Sequence, residues 1–367
     1  VLESFIRSEI ASHQGWIGFD RFMSLALYTP GLGYYANASE KFGHLPQGTV
    51  QQGQRKGVGS DFVTAPEMSP LFGRTLAQPI AEALAATQTD EIWEFGAGSG
   101  ALALQVLDAL TALGIRPKRY TIVDVSQGLQ ARQQATLAAY ADVVQWASTL
   151  PEAMHGVVLG NEVLDAMPVQ LLHRVNGIWL ERGVAVRDEQ FVWQDRVTTL
   201  RPPLEIDGAH NYCTEIHAQA EAFVRTLGDR MQRGAAFLID YGFPEAEYYH
   251  PQRHMGTLMC HQLHQSDANP LFDVGRKDIT AHVNFTGIAV AAQEAGWEVL
   301  GYTSQAHFLL NCGLAEAMQQ ASLTERIMAQ KLIMEHEMGE LFKVLAVCKG
   351  GPWSAHGFVR GDRTHRL

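Results

Sequence analysis

No stretch of this chain approaches the unbroken apolar length of about 20 residues that crosses a bilayer. The opening Val1-Leu2-Glu3-Ser4 has neither the basic n-region nor the apolar h-region of a secretion signal. A membrane-free, cytoplasmic protein is therefore expected. Cysteine is scarce: Cys213, Cys260, Cys312 and Cys348 stand far apart and form no CxxC pair. That spacing argues against a disulfide framework or a structural zinc site and for reduced thiols. Basic runs are missing as well. With a formal charge of -11 the average surface repels a phosphate backbone, which disfavours nucleic acid as a partner. No internal repeat is present, so solenoids and propellers are set aside.

What remains is the composition of a folded globular protein with a sizeable core, 46% hydrophobic and 18% charged over 367 residues. From residue 89 the pattern alternates in the βαβ manner. Glu91–Phe95 is a short apolar strand, Gly96–Gly100 a turn and Ala101–Leu113 a helix. Tyr120–Asp124 is a second strand, followed by a helix over Gln127–Tyr140 and by strands at Val143–Trp146 and Val157–Gly160. Such alternation predicts an α/β fold with a doubly wound, Rossmann-like parallel sheet. The sheet pattern returns at Ala235–Asp240, Trp297–Tyr302 and Phe342–Cys348, with helices over Ile279–Ala295 and Leu314–Glu337.

Two stretches break the alternation. Residues 1–88 combine an amphipathic start (Phe5, Ile6, Ile10), a surface loop over Lys41–Gly59 rich in Gly, Gln and Lys, and a helix over Ser69–Ala86. Val169–Val175 and Ile178–Val186 flank Asn176-Gly177 and read as a hairpin with a tight turn. The expected organisation is an N-terminal extension and site cover (1–88), a cofactor-binding half of the core (89–168), an inserted hairpin and helix (169–234), and the second half of the core (235–367).

The residues that could carry chemistry cluster at strand ends. In Glu94-Phe95-Gly96-Ala97-Gly98-Ser99-Gly100, glycines 96, 98 and 100 permit positive φ and let a ligand meet the N–H groups of the following helix. With Ala101 the run also satisfies GxGxxA, so a dinucleotide fits it too. Asp124 can accept from both hydroxyls of a ribose, which nicotinamide dinucleotides and S-adenosylmethionine share. Glu94 favours the latter, because a carboxylate there repels a pyrophosphate and suits a ligand with an ammonium and a sulfonium; a solvated charge at a strand end is the plain alternative. Trp146 could line an adenine pocket or be core.

Past the fourth strand, Asn161 offers an acceptor and a donor. Glu162 and Asp165 add two carboxylates that share a face if the segment is helical. Such a cluster suits a cationic methyl acceptor or the removal of its proton; an acidic helix N-terminus is the plain alternative. His250, His254, His261 and His264 invite a metal, yet no Cys or Glu completes a ligand set, and no metal is expected.

Several of these runs, taken together, carry a resemblance. Gly33-Tyr34-Tyr35, Asp61-Phe62-Val63-Thr64-Ala65-Pro66-Glu67, Phe72-Gly73, the glycine turn, Asn161-Glu162-Val163-Leu164-Asp165-Ala166-Met167-Pro168, Asp240-Tyr241-Gly242, Gly256-Thr257-Leu258 and Asp278-Ile279-Thr280-Ala281-His282-Val283 resemble the MidA family of methyltransferases nearly end to end. Mitochondrial members of that family assist respiratory complex I assembly and methylate a protein arginine. The resemblance implies a class I methyltransferase core, S-adenosyl-L-methionine as cofactor and a protein substrate, and leaves a homo-oligomer open. It places Glu94, Gly96, Gly98, Gly100, Asp124, Trp146, Thr64, Pro66 and Glu67 on the cofactor side, and Asn161, Glu162, Asp165 and Asp240 at the chemistry. Gly59-Ser60-Asp61 departs from the family's more usual Gly-Asp, and the Lys41–Gly59 loop is long. The rival readings are a nicotinamide-dependent oxidoreductase and a cofactor-binding assembly factor without catalysis.

Overall fold

The structure, a computed structural model, describes residues 1–36, 63–124, 127–262 and 265–367, with Gln127 and Gly128 described by backbone alone. The predicted Lys41–Gly59 loop, Asp61, Phe62 and His264 lie outside the described residues. The chain divides into two compact units. Among the described residues, one draws on 63–163, 224–241 and 289–367, the other on 1–36, 164–223 and 242–288.

The first unit is built on a seven-stranded sheet. Its strands are β1 (Glu91–Phe95), β2 (Arg119–Val123), β3 (Val144–Ala147), β4 (Met154–Asn161), β5 (Met231–Phe243), β6 (Glu298–Ser304) and β7 (Phe342–Lys349). Their order is β6-β7-β5-β4-β1-β2-β3. Every pair is parallel except the two made by β7, which runs antiparallel between β5 and β6. A sheet covered on both faces needs apolar residues on both: Ile92, Tyr120, Ile122, Val157, Leu159, Phe237, Ile239 and Val344 are buried in one core on one face, and Trp93, Val158, Leu238 and Leu345 are buried on the other.

On this sheet unit the helix Pro70–Thr87 starts as the sequence implies. Ser69 caps it, accepting from the Leu71 N–H at 3.2 Å, and Pro70 occupies the first turn, where its missing N–H is harmless. It packs on Ala101–Ala112 through the Phe72-Gly73 pair. A Cβ on Gly73 would lie 2.4 Å from the Gln105 Cβ. The Gly73 N–H instead donates to Gln105 Oε1 at 3.0 Å, while Gln105 Nε2 donates to the Pro66 carbonyl at 2.7 Å.

The second unit holds helices Leu2–Ser12 and Phe19–Tyr28 and a five-stranded antiparallel sheet made of Trp16–Gly18, Gln170–Val175, Ile178–Arg187, Gln190–Val197 and Tyr212–Ile216. The hairpin at Asn176-Gly177 forms as expected, with φ of +51° and +78°. Phe5, expected on the apolar face, is instead 43% exposed, while Ile6 and Ile10 are buried. The Gly256-Thr257-Leu258 run wraps a buried carboxylate. Glu215 accepts from Tyr248 Oη (2.7 Å), the Thr257 N–H (2.8 Å) and hydroxyl (3.2 Å), and the Leu258 N–H (3.1 Å). A Cβ on Gly256 would stand 2.5 Å from Glu215 Oε1, so the backbone can close on the carboxylate only at glycine.

Three predicted helices are shorter than their patterns, and the one expected over Gln127–Tyr140 stops at Thr136, ahead of a separate 3₁₀ turn at Ala138–Tyr140. Ile279 lies in a strand, Asp278–Thr280, paired with Met259–Gln262, and the helix begins at Phe285. The β-branched Ile279 and Thr280 favour the extended form, and cross-strand pairing secures it. The Leu314–Glu337 helix splits into Leu314–Gln320 and Leu323–Lys331. Ala321 turns extended and Ser322 opens the second piece with a capping box to Glu325, which accepts from the Ser322 N–H at 2.9 Å.

Candidate functional site

The glycine turn sits at the carboxyl end of β1, in the middle of the sheet. Gly96, Gly98 and Gly100 adopt φ of +64°, +53° and +87°, a backbone course closed to most side chains. Ser99 fastens the turn at both ends. Its hydroxyl accepts from the Ala101 N–H at 3.3 Å and donates to the Glu67 carboxylate. Glu67 thus reaches the turn through Ser99, and Pro66 is tied to the adjoining helix through Gln105. Thr64 caps the short helix Ala65–Met68 without a side-chain bond.

One residue that sequence reasoning missed draws three expected ones together. Gln133, wholly buried on the helix Gln127–Thr136, donates from Nε2 to the Gly98 carbonyl (3.0 Å) and to Asp124 Oδ2 (3.1 Å). Its Oε1 accepts from Trp146 Nε1 at 2.8 Å. The turn, the carboxylate beyond β2 and the indole on β3 therefore form one hydrogen-bonded group. Gln127, Gln130, Gln133 and Gln134 crowd this helix, and nothing in the sequence distinguishes the one turned inward.

Glu94 is not solvated. It is 2% exposed, and Tyr120 Oη donates to its Oε2 at 2.6 Å. Burial raises its acid to about 7, the Tyr120 bond pulls back down, and the Asp124 charge adds a further rise. Between pH 4.5 and about 7 the folded chain keeps a proton that the unfolded chain has released. Stability therefore falls as pH rises through this window, by about 3 kcal/mol in total, and levels off above it. Glu94→Gln should remove that slope. Denaturant unfolding of both proteins across pH 4.5–7 tests this, and parallel profiles would show that Glu94 does not titrate there.

At the end of β4 the backbone turns sharply. Glu162 takes a left-handed φ of +54° while its N–H donates to the Ile239 carbonyl on β5 at 2.9 Å. A glutamate held in that conformation stores strain of about 1 kcal/mol or more, which surroundings must over-determine. Asn161 Nδ2 donates to Glu162 Oε1 at 3.2 Å, and Asn161 Oδ1 is buried with no hydrogen-bond partner among the described residues. The segment is not helical, so the expected shared helix face for Glu162 and Asp165 does not exist, and neither does an acidic helix N-terminus. Asp165 belongs to the second unit, where its carbonyl accepts from the Ala281 N–H at 2.9 Å. Asp240 is buried on β5, in register with Lys343 of β7, and its Oδ1 accepts from the Tyr241 N–H at 3.0 Å.

Among the described residues no three His, Cys, Asp or Glu side chains come together to hold a metal ion, and no helix is long and apolar enough to cross a membrane.

Comparison with known proteins shows what the chain is similar to. Residues 75–303 match a family model described as "Putative S-adenosyl-L-methionine-dependent methyltransferase". A Burkholderia thailandensis protein crystallised with S-adenosyl-homocysteine bound is 48% identical, with a TM-score of 0.93 over 100% of this chain and 96% of that one. Among curated proteins, "Protein arginine methyltransferase NDUFAF7, mitochondrial" of Danio rerio is 27% identical over 91% of this chain and 83% of its own length. The Drosophila melanogaster homologue is also 27% identical, over 94% and 84%.

Proposed function

Since the chain belongs to the family of S-adenosyl-L-methionine-dependent methyltransferases, we propose that it transfers the methyl group to arginine side chains of a protein. The relatives named for that activity cover most of this chain and are covered by it in turn. Family membership also sets aside the nicotinamide-dependent alternative.

The residues present fit the cofactor. A turn with three positive-φ glycines leaves backbone open to a ligand, and the buried Asn161 Oδ1 waits for a donor that the described residues do not supply. S-adenosylmethionine supplies a methyl on a sulfonium, a good leaving group, so the protein's main task is alignment. On this reading Asp124 accepts from the ribose hydroxyls and Trp146 flanks the base. Gly96 and Gly98 lie under the backbone approach, and Asn161 Oδ1 takes a hydrogen bond from the ligand's amino-acid end. Glu94, pinned by Tyr120, sets the field beneath the turn.

For the acceptor, the observation that carries most weight is Glu162. It is held in a strained conformation at the carboxyl end of β4, where doubly wound sheets bind their ligands. We assign it to hold guanidinium N–H groups and to take the proton released as the nitrogen gains its methyl. Asp240 stands buried one strand away and supports the negative field. Within the protein class, a respiratory complex I subunit is the substrate that the sequence resemblance implies.

Gln133 provides a test of the cofactor side. Gln133→Ala should lower S-adenosylhomocysteine affinity about tenfold or more, since it strips partners from the Gly98 carbonyl, Asp124 and the Trp146 N–H at about 1–3 kcal/mol for each group left unsatisfied. Titration calorimetry against wild type decides it; equal affinity would mean the group serves only the fold. The acceptor is tested by incubating lysate proteins with the purified enzyme and methyl-labelled cofactor, then mapping the label by mass spectrometry. Methylarginine is expected, and label confined to other residues would overturn the arginine assignment.

A further inference from the structure

A methyltransferase takes up a cofactor whose sulfur is positive and gives up a product whose sulfur is neutral. Resting on the cofactor site proposed above at the glycine turn, we propose that Glu94, held by Tyr120, makes that site charge-selective. It favours S-adenosylmethionine over S-adenosylhomocysteine, which has lost a methyl and a positive charge and is otherwise the same.

The strands of the sheet unit set this up. β1 and β2 run parallel with Ile92 beside Tyr120 and Glu94 beside Ile122, so these four side chains share a face. Ile92, Tyr120 and Ile122 are buried core there, and a carboxylate among them is costly unless something compensates it. Tyr120 compensates one oxygen, donating to Oε2 at 2.6 Å. Oε1 has no hydrogen-bond partner among the described residues, and no Lys, Arg or His among them pairs with Glu94. A buried carboxylate with one donor, a free oxygen and no counter-ion lacks a positive charge. The glycine turn begins two positions later, so a ligand lying on it brings its charge close to Glu94. In a site this poor in water, such a charge changes affinity by about tenfold or more.

The surroundings sharpen the preference. Asp124, beyond β2, adds a second negative charge that acts on Glu94. Leu159, beside it on β4, carries none. Gln133 ties Asp124 to the turn and Ser99 ties Glu67 to it, and both links are neutral. Burial pushes the Glu94 acid up to about 7 while the Tyr120 bond pulls it down. Near neutrality the free enzyme therefore holds a proton on Glu94 that it gives up when a sulfonium binds. Transfer breaks the bond from sulfur to methyl, leaves the electron pair on sulfur and forms the bond to the acceptor nitrogen. Glu94 then faces a neutral sulfur and recovers a proton from water, separate from the one the nitrogen sheds. Tyr120 is the positioning residue in this account, since its hydroxyl keeps the acid low enough to ionise at all.

Titration calorimetry tests this with S-adenosylmethionine and S-adenosylhomocysteine against wild type, Glu94→Gln and Tyr120→Phe. In wild type the ratio of the two affinities should favour S-adenosylmethionine at pH 8 and be about tenfold smaller at pH 6, where Glu94 is protonated. Glu94→Gln should show the smaller ratio at both pH values, with S-adenosylhomocysteine affinity within about threefold of wild type, which also shows that the variant folds. Tyr120→Phe, whose Glu94 has lost its donor, should show the smaller ratio at pH 8 and regain much of the preference at pH 9. A wild-type ratio in Glu94→Gln, or an equal loss of both ligands, overturns charge selection and leaves the cofactor site standing. Undiminished binding of both ligands by Gly98→Val overturns the site and the selection together.

Discussion

Gly98→Val should abolish S-adenosylhomocysteine binding, with affinity falling more than a hundredfold while the chain still folds. Gly98 holds φ of +53° and its carbonyl accepts from Gln133 Nε2. A β-branched residue in the left-handed region is strained by about 1–3 kcal/mol. It relieves that strain by swinging the peptide and so loses the Gln133 bond, and with it the fixed course of the turn. The added methyl groups also stand over the backbone that the ligand must approach. The core of the sheet unit lies below the turn and does not depend on it, so circular dichroism should remain native. Ligand-induced thermal shift is the measurement, and an undiminished shift would show that the cofactor binds elsewhere.

The second large effect is expected at Glu162. Glu162→Gln keeps the shape, the left-handed backbone and an oxygen able to accept from Asn161 Nδ2. What it removes is the charge and the basic oxygen. Cofactor affinity should stay within about threefold, while single-turnover methyl transfer should drop about a hundredfold or more, the usual size for one oriented electrostatic partner at a transition state. Undiminished transfer would move the chemistry to another residue, with Asp240 the next to try. Lost cofactor affinity would make Glu162 part of the cofactor's own pocket.

The sheet unit was the more legible half, because its signals are local. Each strand is an apolar run too short for a helix, and the glycine turn marks the passage from strand to helix by chemistry alone. The Asn176-Gly177 hairpin could be read for the same reason, since two consecutive positive-φ positions demand those residues. The helix over Leu314–Glu337 was overextended because the capping box at Ser322 competes with an unbroken periodicity that suits one long helix equally well. The strand at Asp278–Thr280 depends on a partner about 20 positions away, which no window of sequence shows. At the site, the carboxylates and glycines could be named in advance because their chemistry is unusual where they stand. Gln133 could not. A buried amide bridging three elements looks, in sequence, like any glutamine on a polar helix. Likewise Glu162 could be named but its setting could not, since a left-handed glutamate is dictated by the strand beside it and not by its neighbours in the chain.

The order β6-β7-β5-β4-β1-β2-β3 has a consequence for how the molecule is made. The strand that separates β5 from β6 is Phe342–Lys349, which leaves the ribosome after both of them. Until residue 349 has emerged, β5 presents an unpaired edge along its own apolar Ala235–Ile239 run. Long-range pairing of this kind is slow, and the waiting edge is open to other chains in the meantime. A nascent chain stalled before residue 342 should therefore be a preferred client of chaperones that bind exposed strands, and a release from that requirement should follow within the few residues that complete β7.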